Sequence, residues 1–182
     1  MKNIYVLLAD GFEEIEALTS VDVLRRAGLS VFLVSTTGAP YVTGSHHITV
    51  KCDVFLNDIK PSESEMLILP GGIPGAPNLL ANEKVKNLVC SFNENDKWLG
   101  AICAGPMVLG ELQLLQGKRA TCYPGFEKHL HGAKTMAEPA VTDGKIITGK
   151  GIGAAMTFSL EIVRNLLGRE VAADLAKKMV VE

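Results

Sequence analysis

A mostly parallel β-sheet with helices on both faces and one small β-hairpin is the α/β architecture this sequence predicts, on three observations. Residues 3–9, 65–69 and 98–102 are short apolar runs, as strands covered on both faces require. Stretches with apolar residues at helical spacing lie between them, and this strand–helix–strand order is that of right-handed crossovers onto a parallel sheet. Residues 36–50 break the rhythm with Gly38, Pro40 and Gly44 set between short β-prone pieces, the mark of a hairpin.

Each element follows from its own pattern. After the first strand, residues 13–27 place Ile15, Leu18, Val21 and Leu24 on one helical stripe, and Gly28 stands where a C-terminal cap is needed. Residues 29–35 form a second strand. The strand at 65–69 ends abruptly in Pro70-Gly71-Gly72. Residues 82–95 read as a helix, with Asn82 as its cap and Val85, Leu88, Val89 and Phe92 as its stripe. The strand at 98–102 leads into a helix expected over 104–115, stopped near Gly117. Residues 119–150 are rich in turns and short strands, and residues 154–167 and 170–178 are two closing helices separated by Gly168. No repeat, linker or low-complexity tract interrupts the pattern, so one domain is expected over residues 1–182.

The bulk numbers exclude several function classes. The 182 residues carry a net charge of −2, and 47% are hydrophobic against 21% charged. Basic residues are scattered, the longest runs being pairs such as Arg25-Arg26 and Lys177-Lys178, so there is no electrostatic footprint for nucleic acid or an anionic membrane. The apolar run from Ile4 to Ala9 is too short for a signal peptide or a membrane span, and a cytoplasmic location is expected. Cys52, Cys90, Cys103 and Cys122 form no C-x-x-C pair, and a cytosolic chain of this size needs no disulfide.

Chemistry is expected beyond the carboxyl ends of the parallel strands, where crevices form. The segment Ala101-Ile102-Cys103-Ala104-Gly105-Pro106 puts a cysteine between small residues on a strand-to-helix turn, the thiol form of a nucleophile elbow. The following helix N-terminus favours thiolate, and Pro106 suits an early helical position. Pro70-Gly71-Gly72 leaves backbone N–H groups unshielded, which with the Ala104 N–H form an oxyanion hole. Asp10-Gly11-Phe12-Glu13-Glu14-Ile15-Glu16 offers three carboxylates at a helix start. One of them, aimed at Cys103, would have a raised pKa and serve as acid or base, and periodicity does not say which. His46, His47, His129 and His131 sit at no strand end. His129-Leu130-His131 lacks a third ligand at suitable spacing, so no metal and no cofactor are expected.

These residues, in this order, resemble the ThiJ/PfpI superfamily, in the branch of the Parkinson-disease-associated protein deglycase and its bacterial relatives. The resemblance spans the chain through D-G-F-E-E-I-E at 10–16, V-D-V-L-R-R-A-G at 21–28, L-P-G-G at 69–72, A-I-C-A-G-P at 101–106, T-C-Y-P-G at 121–125 and T-G-K-G-I-G-A-A at 148–155. It implies a flavodoxin-like sandwich related to class I glutamine amidotransferase domains, and a homodimer. It implies that Cys103 is the reactive cysteine, that Glu16 hydrogen-bonds its sulfur, and that the N–H groups of Gly72 and Ala104 form the oxyanion site. The implied activity is cofactor-free glyoxalase or deglycase chemistry on a small carbonyl substrate such as methylglyoxal, or on early glycation adducts. The superfamily's protease branch carries histidine directly after the cysteine, where this chain has Ala104, so a peptidase is not implied. Several deglycase-branch members place histidine near the thiol where this chain has Tyr123, which makes Tyr123 an accessory candidate.

Two rival functions share the elbow. A redox sensor or stress chaperone would oxidise Cys103 instead of turning over substrate. A glutamine amidotransferase needs a His-x-Glu pair on a late strand, and none follows Cys103.

Overall fold

The computed structural model describes residues 3–181. A seven-stranded sheet forms its centre, built from β1 (Asn3–Leu8), β2 (Val31–Ser35), β5 (Val54–Phe55), β6 (Ser64–Leu69), β7 (Trp98–Ile102), β10 (Ala140–Asp143) and β11 (Ile146–Gly149). Their spatial order is β10-β11-β7-β6-β1-β2-β5, and every pairing is parallel except β10 with β11. The predicted hairpin is present as β3 (Tyr41–Thr43) and β4 (Thr49–Lys51), antiparallel to each other. A short parallel pair, β8 (Arg119–Ala120) with β9 (Lys134–Thr135), lies in the turn-rich segment.

The runs on β1, β6 and β7 are apolar throughout because both faces of the sheet are covered. On one face α1 (Glu14–Arg26), α5 (Ala155–Leu167) and α6 (Arg169–Lys178) close over Val6, Leu8, Ile68 and Ile147. On the other, α2 (Gly75–Ala81), α3 (Glu83–Glu94) and α4 (Pro106–Glu111) close over Leu7, Leu67, Leu69 and Leu99. Among the described residues no helix is long and apolar enough to cross a membrane.

Four differences from the sequence reading have local causes. The helix after β7 ends at Glu111 instead of near 115, because Gln113 turns left-handed at φ 60° and the amides of Gln113 and Leu114 close back on the carbonyls of Gly110 and Leu109. Helix α2 shows no stripe in the sequence; it is seven residues long and contains Pro77. Strand β5 is a two-residue edge strand, too short to carry a periodicity. Ile15, placed on the buried stripe of α1, is more than half exposed; Val21 and Leu24 of that stripe are buried as expected, and the first turns of the inward face carry Glu16, Ala17 and Ser20.

Helix α4 also touches the loop before β9 at very close range. A Cβ on Gly110 would overlap the carbonyl oxygen of His129, a backbone atom with no room to retreat. Gly110→Ala is therefore expected to destabilise the fold by about 1–3 kcal/mol, read from the denaturant midpoint.

Candidate active site

The chain leaves β1 toward β2 and β5, then returns to lay β6 on the opposite side of β1. Their carboxyl ends diverge there, and the loops after β1, β6 and β7 meet in the resulting crevice. A Cβ on Gly72 would overlap the Gly11 carbonyl and the Glu13 amide nitrogen, so the β1 and β6 loops touch through backbone alone. Gly71 is equally confined: a Cβ there would lie 2.7 Å from Cys103 Cβ, 2.8 Å from Glu16 Oε2 and 2.9 Å from Ala104 N. Three elements thus bring Cys103, Glu16 and the start of the α4 segment around one glycine.

Cys103 directly follows β7 with φ 64°, a left-handed conformation that costs a non-glycine residue about 1–3 kcal/mol. The turn is held by its own amide, which donates to the Gly149 carbonyl at 2.9 Å, and by its carbonyl, which accepts the Tyr123 N–H at 2.9 Å. The residue is buried at the edge of the core and keeps 8% of its surface open to solvent. The backbone N–H groups of Ala104 and Gly72 are directed at the sulfur.

Glu16 is the third residue of α1 and is completely buried. Helix capping explains its placement. Glu13 caps α1 by accepting the Glu16 N–H at 2.8 Å, and the Glu13 N–H donates to the Gly71 carbonyl at 3.0 Å. The Gly71 N–H returns to Glu16 Oε2 at 2.9 Å. Among the described residues Oε1 has no N–H or O–H donor, and the carboxyl's remaining partner is the Cys103 thiol. Of the three glutamates that periodicity left open, only Glu16 lies against the sulfur; Glu13 caps the helix and Glu14 binds the hairpin.

Burial is the largest influence on both groups. It pushes the Glu16 carboxyl up to about 7, against the lowering effect of its bonds to Cys103 and Gly71. The Cys103 thiol is raised by burial first, then by charge on Glu16 and by the hydrogen bond between them; the N–H groups of Ala104 and Gly72 pull it down without reversing this. The sequence reading of a thiolate favoured at rest by the helix N-terminus is therefore corrected. Helix α4 begins only at Pro106 and has six residues, and its field is outweighed by desolvation beside a carboxyl. Sulfur and carboxyl instead hold a proton between them, in a pocket where Glu16 is poised near neutrality.

Tyr123 reaches Cys103 through its backbone N–H alone. Its ring is largely exposed, meets Phe126 edge-on at 6.3 Å between centroids, and lies over Gly151. Gly71 escaped the sequence reading as an anchor for Glu16, although its signal was present in the paired glycines after β6. Three of the histidines have partners other than the sulfur, His46 pairing with Glu14 and both His129 and His131 approaching Glu111, while His47 lies in the turn between β3 and β4, its N–H donating to the Gly44 carbonyl.

The chain is similar to known proteins over its whole length. A model of the DJ-1/PfpI family matches residues 2–165. Protein DJ-1 homolog B of Arabidopsis thaliana is 36% identical over 182 residues, and the chain spans less than half the length of this relative, 42% of it. The Parkinson disease protein 7 homolog of Danio rerio is 33% identical over 185 residues, covering all of this chain and 98% of that protein. A crystal structure of a cysteine-to-alanine mutant of a DJ-1 superfamily protein from Salmonella typhimurium superposes with a TM-score of 0.95 at 32% identity, over the full length of both chains.

Proposed function

The chain belongs to the DJ-1/PfpI family, and from that premise we propose that it is a cysteine-dependent, cofactor-free enzyme acting on reactive dicarbonyls such as methylglyoxal, or on their early glycation adducts. The observation that carries this reading is the buried carboxyl of Glu16, poised near neutral pH against a thiol that faces two backbone N–H groups. A thiol raised by burial needs a base at the moment of attack, and a carboxyl near pH 7 supplies one.

The reaction is a glyoxalase type of isomerisation followed by hydrolysis. Glu16 takes the thiol proton as Cys103 Sγ bonds to the aldehyde carbon, and the carbonyl pair becomes an alkoxide held by the N–H groups of Gly72 and Ala104. Glu16 passes the proton it took on to the alkoxide, giving the hemithioacetal, and is a carboxylate again. Glu16 removes the hydrogen from that carbon, giving an enediolate, and returns a proton to the neighbouring carbon, so that the first carbon becomes a thioester carbonyl and the second an alcohol. Water hydrolyses the thioester, releasing lactate and the free thiol. No electron acceptor is consumed, because one carbon is oxidised as its neighbour is reduced. Tyr123, at the mouth, is an accessory that shapes access. The test is conversion of methylglyoxal to lactate by the purified protein without added cofactor, followed by enzymatic determination of lactate; disappearance of methylglyoxal without lactate would refute the isomerisation.

A second reading, a redox sensor or stress chaperone, is favoured by the N–H groups already aimed at the sulfur, which suit the oxygens of a sulfinate. The raised thiol slows it, since thiolate is the form that attacks peroxide and Glu16 must first take the proton, as it does for a carbonyl. Mass spectrometry after mild peroxide distinguishes the two by whether Cys103 gains two oxygens before turnover is lost.

The four cysteines are free thiols, in keeping with a cytoplasmic setting. Ile15 and Ile48 are exposed apolar side chains on α1 and the hairpin, and both flank Glu14, which accepts the Ile48 N–H. A homodimer would cover them. Ile15→Glu is expected to shift the protein to monomer in light scattering coupled to size exclusion, with its circular dichroism unchanged.

A further inference from the structure

Beside the crevice, two buried glutamates and one histidine converge on a single point. Glu13 and Glu14 are 4% and 3% exposed, and each has one carboxylate oxygen tied up by backbone. Glu13 Oε2 accepts the Glu16 N–H at 2.8 Å. Glu14 Oε1 accepts the N–H groups of His46 at 2.7 Å and Ile48 at 3.4 Å. The other oxygen of each is left turned toward the same imidazole nitrogen. His46 Nδ1 lies 2.9 Å from Glu14 Oε2 and 3.9 Å from Glu13 Oε1, and the three atoms all lie within 4.8 Å of one another. Among the described residues Glu13 Oε1 has no hydrogen bond and His46 is the only ion-pair partner of either glutamate.

We propose that Glu13 Oε1, Glu14 Oε2 and His46 Nδ1 form a binding site for a divalent d-block cation of the zinc type. An ion held at about 2.0–2.2 Å by three such donors sets them about 3.0–3.6 Å apart, and the two separations from Nδ1 bracket that range. One imidazole with two carboxylates suits zinc better than calcium or magnesium, which take oxygen donors only. The carboxylates are held in place by backbone before any ion arrives, so little ordering is needed. The histidine side chain is 68% exposed in the single chain. Ser45 Oγ, 3.1 Å from Nδ1 and 3.4 Å from Glu14 Oε2, stands where a fourth donor or a bound water would sit. The bound ion would clamp the β3–β4 hairpin to the first turn of α1. Sequence spacing conceals the site, because His46 is 32 residues beyond Glu14.

Isothermal titration of the intact protein with zinc chloride tests this. One zinc per chain is expected, with affinity retained in Cys103→Ala and in the double variant His129→Ala/His131→Ala. His46→Ala and Glu14→Gln are each expected to weaken binding at least about tenfold. Cobalt substitution should give d–d bands without a thiolate charge-transfer band. His46 is exposed, so its alanine variant keeps the fold, checked by its melting curve. No measurable binding by the wild type, binding undiminished in His46→Ala, or a thiolate band in the cobalt form would each overturn the site.

Discussion

Cys103→Ala is expected to abolish lactate formation from methylglyoxal, lowering turnover at least ~10³-fold while leaving the fold intact. Without the sulfur no hemithioacetal forms, and neither Glu16 nor the N–H groups of Gly72 and Ala104 can hold the substrate where the proton transfer occurs. The structural cost is small. The residue sits at the rim of the core, and alanine adopts the same left-handed turn that Cys103 occupies at φ 64°. A stability change of about 1 kcal/mol or less is therefore expected from denaturant unfolding. Turnover surviving in this variant would disprove the covalent route, and an unfolded variant would be recognised from circular dichroism, with Cys103→Ser then taking its place.

Glu16→Gln is expected to act on both chemistry and stability. The amide neither takes the thiol proton nor moves one between carbons, so turnover should fall about 10²- to 10⁴-fold. In the wild type, turnover should rise as pH increases through about 7, where the Glu16 carboxyl ionises, and this rise should vanish in the variant. The stability effect has the opposite sense. Glu16 is raised from 4.5 to about 7 in the folded protein, so the folded state holds the proton more tightly than the unfolded chain. Its contribution is fully present below the unfolded value, is lost as pH climbs to about 7, and is constant beyond. The wild type should thus lose up to about 3 kcal/mol of unfolding free energy between about pH 4.5 and 7 that Glu16→Gln does not lose, as measured by urea unfolding across that range. A common pH slope for both proteins would show that the carboxyl is not buried as described.

The strands were the most readable part of this protein. The run at Trp98–Ile102 is a strand with the predicted bounds, and β1 and β6 differ from expectation by one residue at an end. A strand covered on both faces must be apolar at every position, so its signature is local and complete. The hairpin was equally plain, because Gly38, Pro40 and Gly44 leave few other conformations. Asn82 capped α3 as expected, by accepting the amides of Lys84 and Val85. The elbow at Cys103 was visible for the same reason, since small neighbours and a following proline are steric requirements written along the chain.

What lay beyond a local reading depended on contacts between distant segments. Three glutamates within four residues looked interchangeable. Glu16 was separated from the others by a loop 55 residues away, whose Gly71 amide binds its carboxylate. Ile15 faces outward for the same reason: the inward position went to a carboxyl with a partner there. Burial set the protonation of Glu16 and Cys103, and burial belongs to the folded surroundings and not to the residue. A helix N-terminus read from the sequence promised a thiolate, yet the short α4 and the enclosing loops raised the thiol instead. Nor does the chain announce that His46 meets Glu13 and Glu14. Periodicity reports which face of an element is covered, whereas the meeting of side chains across a fold is set by how the loops close.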